Sequence, residues 1–426
     1  MINMYQPPRG TRDFAPEDMI KRNYVISRIT DIFEKWGFDP LQTPAFEDWK
    51  LLAAKGGEEI KNEIYYFKDK SNRELGLRFD FTVPLARFVV NNTQLPKPFR
   101  RYQIGPVWRY DRPGSGRYRE FWQADIDVVG APAGEADAVC IATVCETLQI
   151  LGFKDFFVRL NNRKIIEAFL ISIGLKQNVP EIMRSIDKLE KIGEKEVENE
   201  LKEKNIRQDK IKKILNFIKI KNLPEARKFM EKEELGKEGV AELEAILDFI
   251  DIFGFSDYVR FDLSLVRGLE YYTGPVFEIN AGINVSVGGG GRYDNMIEAF
   301  GGKPTPATGI SFGIDRLILA MEEKKLLNTE KTKTKIYIAP VADTAVKDAI
   351  SLSRKLISLG IPTEFDLMKR SLTKELDYAN AKGIPFVIVL GEKEIKSGII
   401  KVRNMKSGEE KEVGLNTLED IRKIVK

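Results

Sequence analysis

Histidine is absent from all 426 residues. That excludes a histidine-based nucleophilic triad, a histidine-ligated zinc site and a histidine pH switch. Cysteine is scarce. The only two, Cys140 and Cys145, lie in an Ala/Val-rich stretch of helical character. Their spacing makes no metal motif, and they read as small buried hydrophobes in a reducing compartment. No apolar run is long enough to cross a bilayer, so no membrane partner is expected. The opening MINMYQPPRG has no apolar core, so a signal peptide is not expected and a cytoplasmic location is. Neither sign of charge dominates: 68 Lys and Arg against 64 Asp and Glu leave a net +4. A nucleic-acid partner is compatible with that balance and is not demanded by it.

What is present is a long globular composition with room for two to four domains. Its most informative stretch is Phe99 to Gly130, which reads as two strands around a Pro-Gly-Ser-Gly loop. Side chains alternate across a strand, so numbering parity sorts them. In the second strand Tyr118, Trp122, Ala124, Ile126 and Val128 form a face for burial. Arg117, Arg119, Phe121, Gln123, Asp125 and Asp127 form the other, joined by Arg101, Gln103, Val107, Arg109 and Asp111 of the first strand. A solvated sheet face is polar too. The mix of Arg, Gln and Asp with Phe, without Lys, Thr or Ser, suits a binding face, and residue types alone leave both readings open.

The flanks add structure. Pro16 to Trp36 has apolar residues at helical spacing and is followed by Gly37, a helix stop. Leu75 to Val83 alternates as a strand, with Arg78, Asp80 and Thr82 on its polar face, and Pro84 opens a helix. An Asp and a Thr two apart on a strand can hold an ammonium group; a half-exposed strand gives the same pattern. Gly134 to Leu151 reads as a helix and Phe156 to Leu160 as a strand. From about residue 171 to 237 Lys, Glu, Ile and Leu dominate with helical periodicity, as in a solvated helical domain or partner surface.

Further on, Ser264-Leu-Val-Arg-Gly-Leu-Glu-Tyr-Tyr272 packs a cation, a flexible backbone and two phenols into one string. Gly288-Gly-Gly-Gly-Arg-Tyr-Asp294 reads as a flexible glycine segment between a strand-like Ile283 to Val287 and a helix; no Gly-Lys-Ser/Thr follows, so it is not a phosphate loop. Gly309 to Ala320 reads as a strand running into a helix that carries Arg316. After a polar linker at 322–334, strands and helices alternate from Lys335 to Leu390, the mark of a small α/β domain with a mostly parallel core.

These strings resemble a known family. Arg109-Tyr-Asp, the loop and Gly116-Arg-Tyr-Arg-Glu-Phe-Trp-Gln123 closely resemble the second signature motif of class II aminoacyl-tRNA synthetases. The helix and strand from Pro16 to Pro44 are similar to the first motif, and Gly309 to Arg316 to the third. The Leu-Val-Arg-Gly-Leu-Glu-Tyr-Tyr string and the Gly-rich string resemble segments peculiar to histidyl-tRNA synthetases, and the C-terminal part resembles their anticodon-binding domain. The resemblance implies an α+β fold: an antiparallel-sheet catalytic domain with a helical insertion, plus a C-terminal α/β domain. It implies boundaries of 1–170 and 251–325 for the two parts of the catalytic domain, 171–250 for the insertion and 335–426 for the anticodon-binding domain.

It also implies chemistry. Histidine and ATP, with Mg²⁺ on the phosphates, give histidyl-adenylate, and the histidyl group passes to the 3′ end of tRNA(His); the enzyme is expected as a homodimer. Arg109, Arg267 and Arg316 are implied as catalytic cations. Asp80, Thr82, Gln123, Asp127, Arg267, Tyr271 and Tyr272 are implied as the histidine pocket. Within it Asp80, Thr82 and Gln123 hold the α-ammonium, while Asp127 and Tyr272 meet the two ring nitrogens. Arg109, Asp111, Arg117, Phe121 and Arg316 are implied for ATP, with adenine on Phe121. Where some relatives have a Gln that meets the extra 5′ guanosine of the tRNA, this chain has Gly114. A non-catalytic relative, the histidine-sensing regulatory subunit of ATP phosphoribosyltransferase, shares the catalytic-domain fold. It typically lacks the anticodon-binding domain and the motif arginines, both of which occur here.

Overall fold

The computed structural model describes residues 5–54, 62–112, 114, 116–266 and 271–425. It divides into two compact units, 1–12 with 25–327, and 13–24 with 328–426.

Three strands near the start of the first unit, β1 (Asp39–Pro40), β2 (Phe46–Asp48) and β3 (Tyr66–Lys68), are short. They are followed by β4 (Glu74–Leu77), β5 (Phe99–Trp108), β6 (Glu120–Val129), β7 (Phe157–Asn162) and β8 (Val259–Phe261). The last three are β9 (Pro275–Asn280), β10 (Gly288–Arg292) and β11 (Ala307–Gly313). Among the described residues the main sheet runs β1-β5-β6-β11-β10-β9-β7-β8, while β2-β4-β3 form a small separate sheet. The main sheet is antiparallel from β5 to β7; the pairs at its two ends, β1–β5 and β7–β8, are parallel.

One face of this sheet is dry. Ala124, Ile126 and Val128 of β6 are buried with Ala138, Ile141, Cys145 and Leu148 of the Glu135–Ile150 helix. Gly134 begins that helix at φ +112°, which suits glycine, and Asp137 accepts its backbone N–H at 2.9 Å. Both cysteines are free and buried in this helix. Apolar residues surround it almost completely because the sheet and the Glu234–Ile252 helix both cover it. The helices at 179–187, 194–203, 208–217 and 223–229 keep their charges outside and bury one stripe each, such as Val197 and Leu201 or Ile211, Ile214 and Leu215. Phe169 stacks flat on Phe217 with ring centroids 3.8 Å apart.

Two segments differ from the sequence reading. The strand at Leu75–Val83 stops at Leu77, and a helix begins at Thr82 and runs to Asn91. Arg78, Asp80 and Thr82 are buried as well as Phe79, Phe81 and Val83, so the sequence alternation runs through a turn that is not extended and has no exposed face. Asp80 accepts the Val83 backbone N–H at 3.2 Å, tying down the helix start. The second difference is the glycine run. Residues 283–287 are not a strand; Gly288 to Arg292 is one, inside the sheet. A β-carbon on Gly290 would lie 1.9 Å from the Gly309 carbonyl oxygen, and one on Gly288 2.2 Å from that of Ser311. Glycine is there because the neighbouring strand leaves no room for a side chain.

In the second unit β12 (Ile336–Pro340), β13 (Thr363–Phe365) and β14 (Phe386–Leu390) are parallel, and β15 (Ile399–Asn404) and β16 (Glu410–Gly414) extend the sheet antiparallel, in the order β13-β12-β14-β15-β16. Ile336 and Ile338 pack with Leu352 and Leu356 of the Val346–Ser358 helix. Tyr337 and Ala339 pack with Ala379 of the Leu372–Lys382 helix. Helices on both faces explain why this strand is apolar without alternation. No helix among the described residues is long and apolar enough to cross a membrane.

Candidate active site

The second face of the main sheet is a pocket. Because β6 turns Ala124, Ile126 and Val128 to the dry core, Gln123, Asp125 and Asp127 point to the opposite side, and all three line this cavity. The polar face of Phe99–Gly130 is therefore sheltered: Arg101, Gln103, Asp125 and Asp127 are each 5 % exposed or less.

The cavity brings together Asp80 and Thr82 from the start of the Thr82–Asn91 helix, and Arg109, Asp111, Arg117 and Phe121 from the ends of β5 and β6. It also holds Gln123 and Asp127, Tyr271 and Tyr272, and Arg316 from the helix Ile314–Glu323. Every described residue of the expected site lies on its wall. Arg267 lies outside the described residues. The strand β10 forms part of the wall with backbone alone, at Gly288, Gly289 and Gly290.

Its inner part is acidic. Asp127 meets Arg101, with Nη2 2.6 Å from Oδ2, and Tyr293 donates its phenolic hydrogen to Oδ1. Burial nevertheless holds the Asp127 carboxyl above the usual carboxylate range, opposed by Arg101 and Tyr293. Asp125 is pushed up to about 7, first by burial and then by its neighbours Asp127 and Asp80, with Arg101 and the Ser311 hydroxyl pulling the other way. Asp80 is raised by burial as well, and its Oδ2 is buried without a hydrogen-bond partner. Tyr271, buried beside Tyr272 and Asp80 and hydrogen-bonded to the Thr82 side chain, has a phenol held well above its ordinary value. Gln123 donates from Nε2 to the Ser311 hydroxyl at 3.0 Å, and its Oε1 is buried without a partner. Such orphaned acceptors cost stability in an empty site and suit a ligand that brings donors.

Its outer part is basic. Arg109 donates to the Phe79 carbonyl at 3.0 Å, with its guanidinium 5.3 Å over the Phe121 ring. Arg117 lies 3.8 Å from Asp111. Arg316 donates to the Ser286 carbonyl at 3.1 Å, which holds it at the pocket wall. Asp315, next in sequence, accepts the Trp122 backbone N–H at 2.9 Å and pairs with Arg12 at 2.8 Å, locking this helix onto β6.

Four residues that complete the site carried no assigned role in the sequence reading: Arg101, Asp125, Ser311 and Tyr293. Parity had put Arg101 and Asp125 on the right face, and Tyr293 lies in the Gly-rich string. Ser311 had no local signal. It faces Asp125 only through the β6–β11 register.

The comparisons with known proteins agree along the whole chain. The family described as histidyl-tRNA synthetase matches residues 10–317, and an anticodon binding domain matches residues 335–423. A histidine–tRNA ligase of Pyrococcus furiosus is 41% identical over 99% of both chains. One of Nanoarchaeum equitans is 38% identical over 99% of this chain and 100% of its own. Among solved structures, a histidyl-tRNA synthetase from Nostoc sp. PCC 7120 superposes with a TM-score of 0.86 at 30% identity over 99% of both chains. The catalytic-domain sheet, the helical region, the C-terminal α/β domain and these matches together make the chain a member of the histidyl-tRNA synthetase family, a class II aminoacyl-tRNA synthetase with an anticodon-binding domain.

Proposed function

We propose that this one cavity performs both steps of histidine–tRNA ligation, with histidine in its acidic inner part and ATP in its basic outer part. The observation that carries the reading is the polarity of the cavity: Asp80, Asp125 and Asp127 crowd one region while Arg109, Arg117 and Arg316 line the same pocket. An amino acid presents cations and N–H donors to the first region and its carboxylate to the second.

In the first step a carboxylate oxygen of histidine attacks the α-phosphorus of ATP. The bond to the bridging oxygen breaks, and pyrophosphate leaves with the electron pair. Little proton transfer is needed; the charge that develops on the phosphoryl oxygens must be met in place. Arg109 meets the α-phosphate and Arg316 the γ-phosphate, each through a planar fork suited to two oxygens. Arg267 meets the histidine carboxylate and the α-phosphate, and this assignment rests on the family resemblance of its string. Phe121 is the adenine platform beside Arg109; Asp111 and Arg117 border the same end.

Asp80, Thr82 and Gln123 hold the α-ammonium, a reading supported by the orphaned Asp80 Oδ2 and Gln123 Oε1. Asp127 accepts the N–H of one ring nitrogen, and Tyr272, with Tyr271 behind it, meets the other. Mg²⁺ enters as part of the substrate, carried on the ATP phosphates. In the second step the 3′-terminal ribose hydroxyl of tRNA(His) displaces AMP from the adenylate. The working unit is a cytoplasmic homodimer.

Histidine-dependent exchange of labelled pyrophosphate into ATP tests the first step. Exchange that needs histidine and Mg²⁺ supports the reading. Histidine binding without exchange would overturn it in favour of a histidine-sensing role.

A further inference from the structure

The glutamine at the ammonium site has a direction, and a carboxylate sets it. Ser311 stands directly across from Asp125 in the β6–β11 register, and Gln123 lies two residues along on the same face. The Ser311 hydroxyl has one hydrogen to give. It gives it to Oδ1 of Asp125; the other acceptor within reach, the Phe312 carbonyl, lies at 3.5 Å. With that hydrogen spent, the Ser311 oxygen can only accept. Gln123 must therefore turn its Nε2 to Ser311, as it does at 3.0 Å, and its Oε1 is left buried and unpartnered on the pocket wall. Reversed, the amide would put two donors where an ammonium group must find an acceptor.

We propose that Asp125 is a positioning residue for the α-amino group of histidine: acting through Ser311, it fixes the Gln123 amide with Oε1 facing the substrate. Asp125 does not touch the substrate in this arrangement. The inference rests on the reading of Gln123 as an ammonium acceptor, and the test separates the two.

The readout is discrimination between histidine and its deamino analogue, 3-(imidazol-4-yl)propanoate. The analogue has the ring and the carboxylate but no α-ammonium. The ratio of kcat/KM values for adenylation is measured by ATP consumption at about pH 8, above the value of about 7 to which burial pushes Asp125. Gln123→Ala should lower this ratio by roughly 10- to 100-fold, the worth of a hydrogen bond to a charged group. If it does not, the reading of Gln123 fails whatever Asp125 does. Given that fall, Asp125→Ala and Ser311→Ala should each lower the ratio by a similar factor. The double variant Asp125→Ala/Gln123→Ala should fall no further than Gln123→Ala alone, since one path carries the effect. Asp125→Asn keeps an acceptor for the Ser311 hydroxyl and should retain most of the discrimination.

A structural role alone would reduce both substrates equally and leave the ratio unchanged. An unchanged ratio in Ser311→Ala, or losses that multiply in the double variant, would overturn the proposal. Should Asp125→Ala fail to fold, Ser311→Ala and Asp125→Asn decide it.

Discussion

Arg101 and Asp127 form an ion pair closed off from water, Nη2 to Oδ2 at 2.6 Å, with side chains 0% and 4% exposed. Neither is paid for by solvent, so each depends on the other. Removing one member of such a pair strands the second charge and typically costs about 3–5 kcal/mol. Arg101→Met should destabilise the protein by that order, and Arg101→Met/Asp127→Asn should recover part of the loss. Urea unfolding of the three variants measures it. An Arg101→Met protein within about 1 kcal/mol of wild type would show the pair to be energetically idle.

Asp125 makes stability depend on pH. Its folded value near 7 lies above the ordinary 3.8, so the folded state keeps the proton longer than the unfolded chain. The stability contributed by the protonated form is fully present below the unfolded value and is lost as pH rises through about 7. The full span is roughly 4 kcal/mol at most. Ligand-free wild type should therefore lose stability between about pH 5 and 8 relative to Asp125→Asn, which carries no charge to bury. Parallel denaturation curves at the two pH values check it; equal pH dependence in both proteins would mean that Asp125 does not titrate in this range.

Gly309 leaves room for the Asp127 carboxylate. A β-carbon there would stand 2.0 Å from Asp127 Oδ1. Gly309→Ala must push the carboxylate aside, at a cost of order 1–3 kcal/mol for an overfilled interior. Histidine-dependent exchange should fall at least tenfold, a change of about 1.4 kcal/mol in the barrier, while ATP protection against proteolysis persists. Normal exchange in this variant would remove Asp127 from the ring-binding role.

Asp127→Asn and Arg267→Ala separate recognition from catalysis. The first should lower kcat/KM for histidine with little change in the KM for ATP, because a neutral amide can turn a donor toward the ring nitrogen it must accept from. The second should cut adenylation by roughly 10²–10³ with a smaller effect on histidine affinity. Steady-state pyrophosphate exchange and equilibrium dialysis with labelled histidine give both numbers. Equal losses for the two substrates in Asp127→Asn would indicate a folding defect.

Local pattern was sufficient where one residue's neighbours lie on its own strand or helix. Parity separated Ala124, Ile126 and Val128 from Gln123, Asp125 and Asp127, and the structure puts the two sets on opposite faces. Helical spacing from Pro16 matched the helix to Lys35. Local pattern failed where distant segments decide. Leu75 to Val83 alternates in sequence, yet Arg78 to Val83 are all buried, polar and apolar alike, and the bond from Asp80 to the next helix start leaves no mark on the alternation. A glycine run has poor strand propensity, yet β10 is a strand because β11 presses against it. Tyr293 reaches Asp127 across 166 residues and Ser311 reaches Asp125 across 186; only the folded sheet brings these together.

The bare strand β10 also limits how this enzyme can change. Where Gly288, Gly289 and Gly290 border the cavity there is no side chain to enlarge, shrink or recharge. At Gly288 and Gly290 a side chain could be added only by moving the backbone next to it. On the proposed reading, selection or design aimed at a different amino acid works through the side chains that do line the cavity, among them Gln123, Asp125 and Asp127 of β6 and Tyr271, Tyr272 and Tyr293. Asp127 is tied to Tyr293 and Arg101, and Gln123 and Asp125 are both tied to Ser311, so single substitutions there would break a network before they reshape a pocket. Accessible routes to a new substrate pass through simultaneous changes, and the adaptive landscape around this site is correspondingly steep.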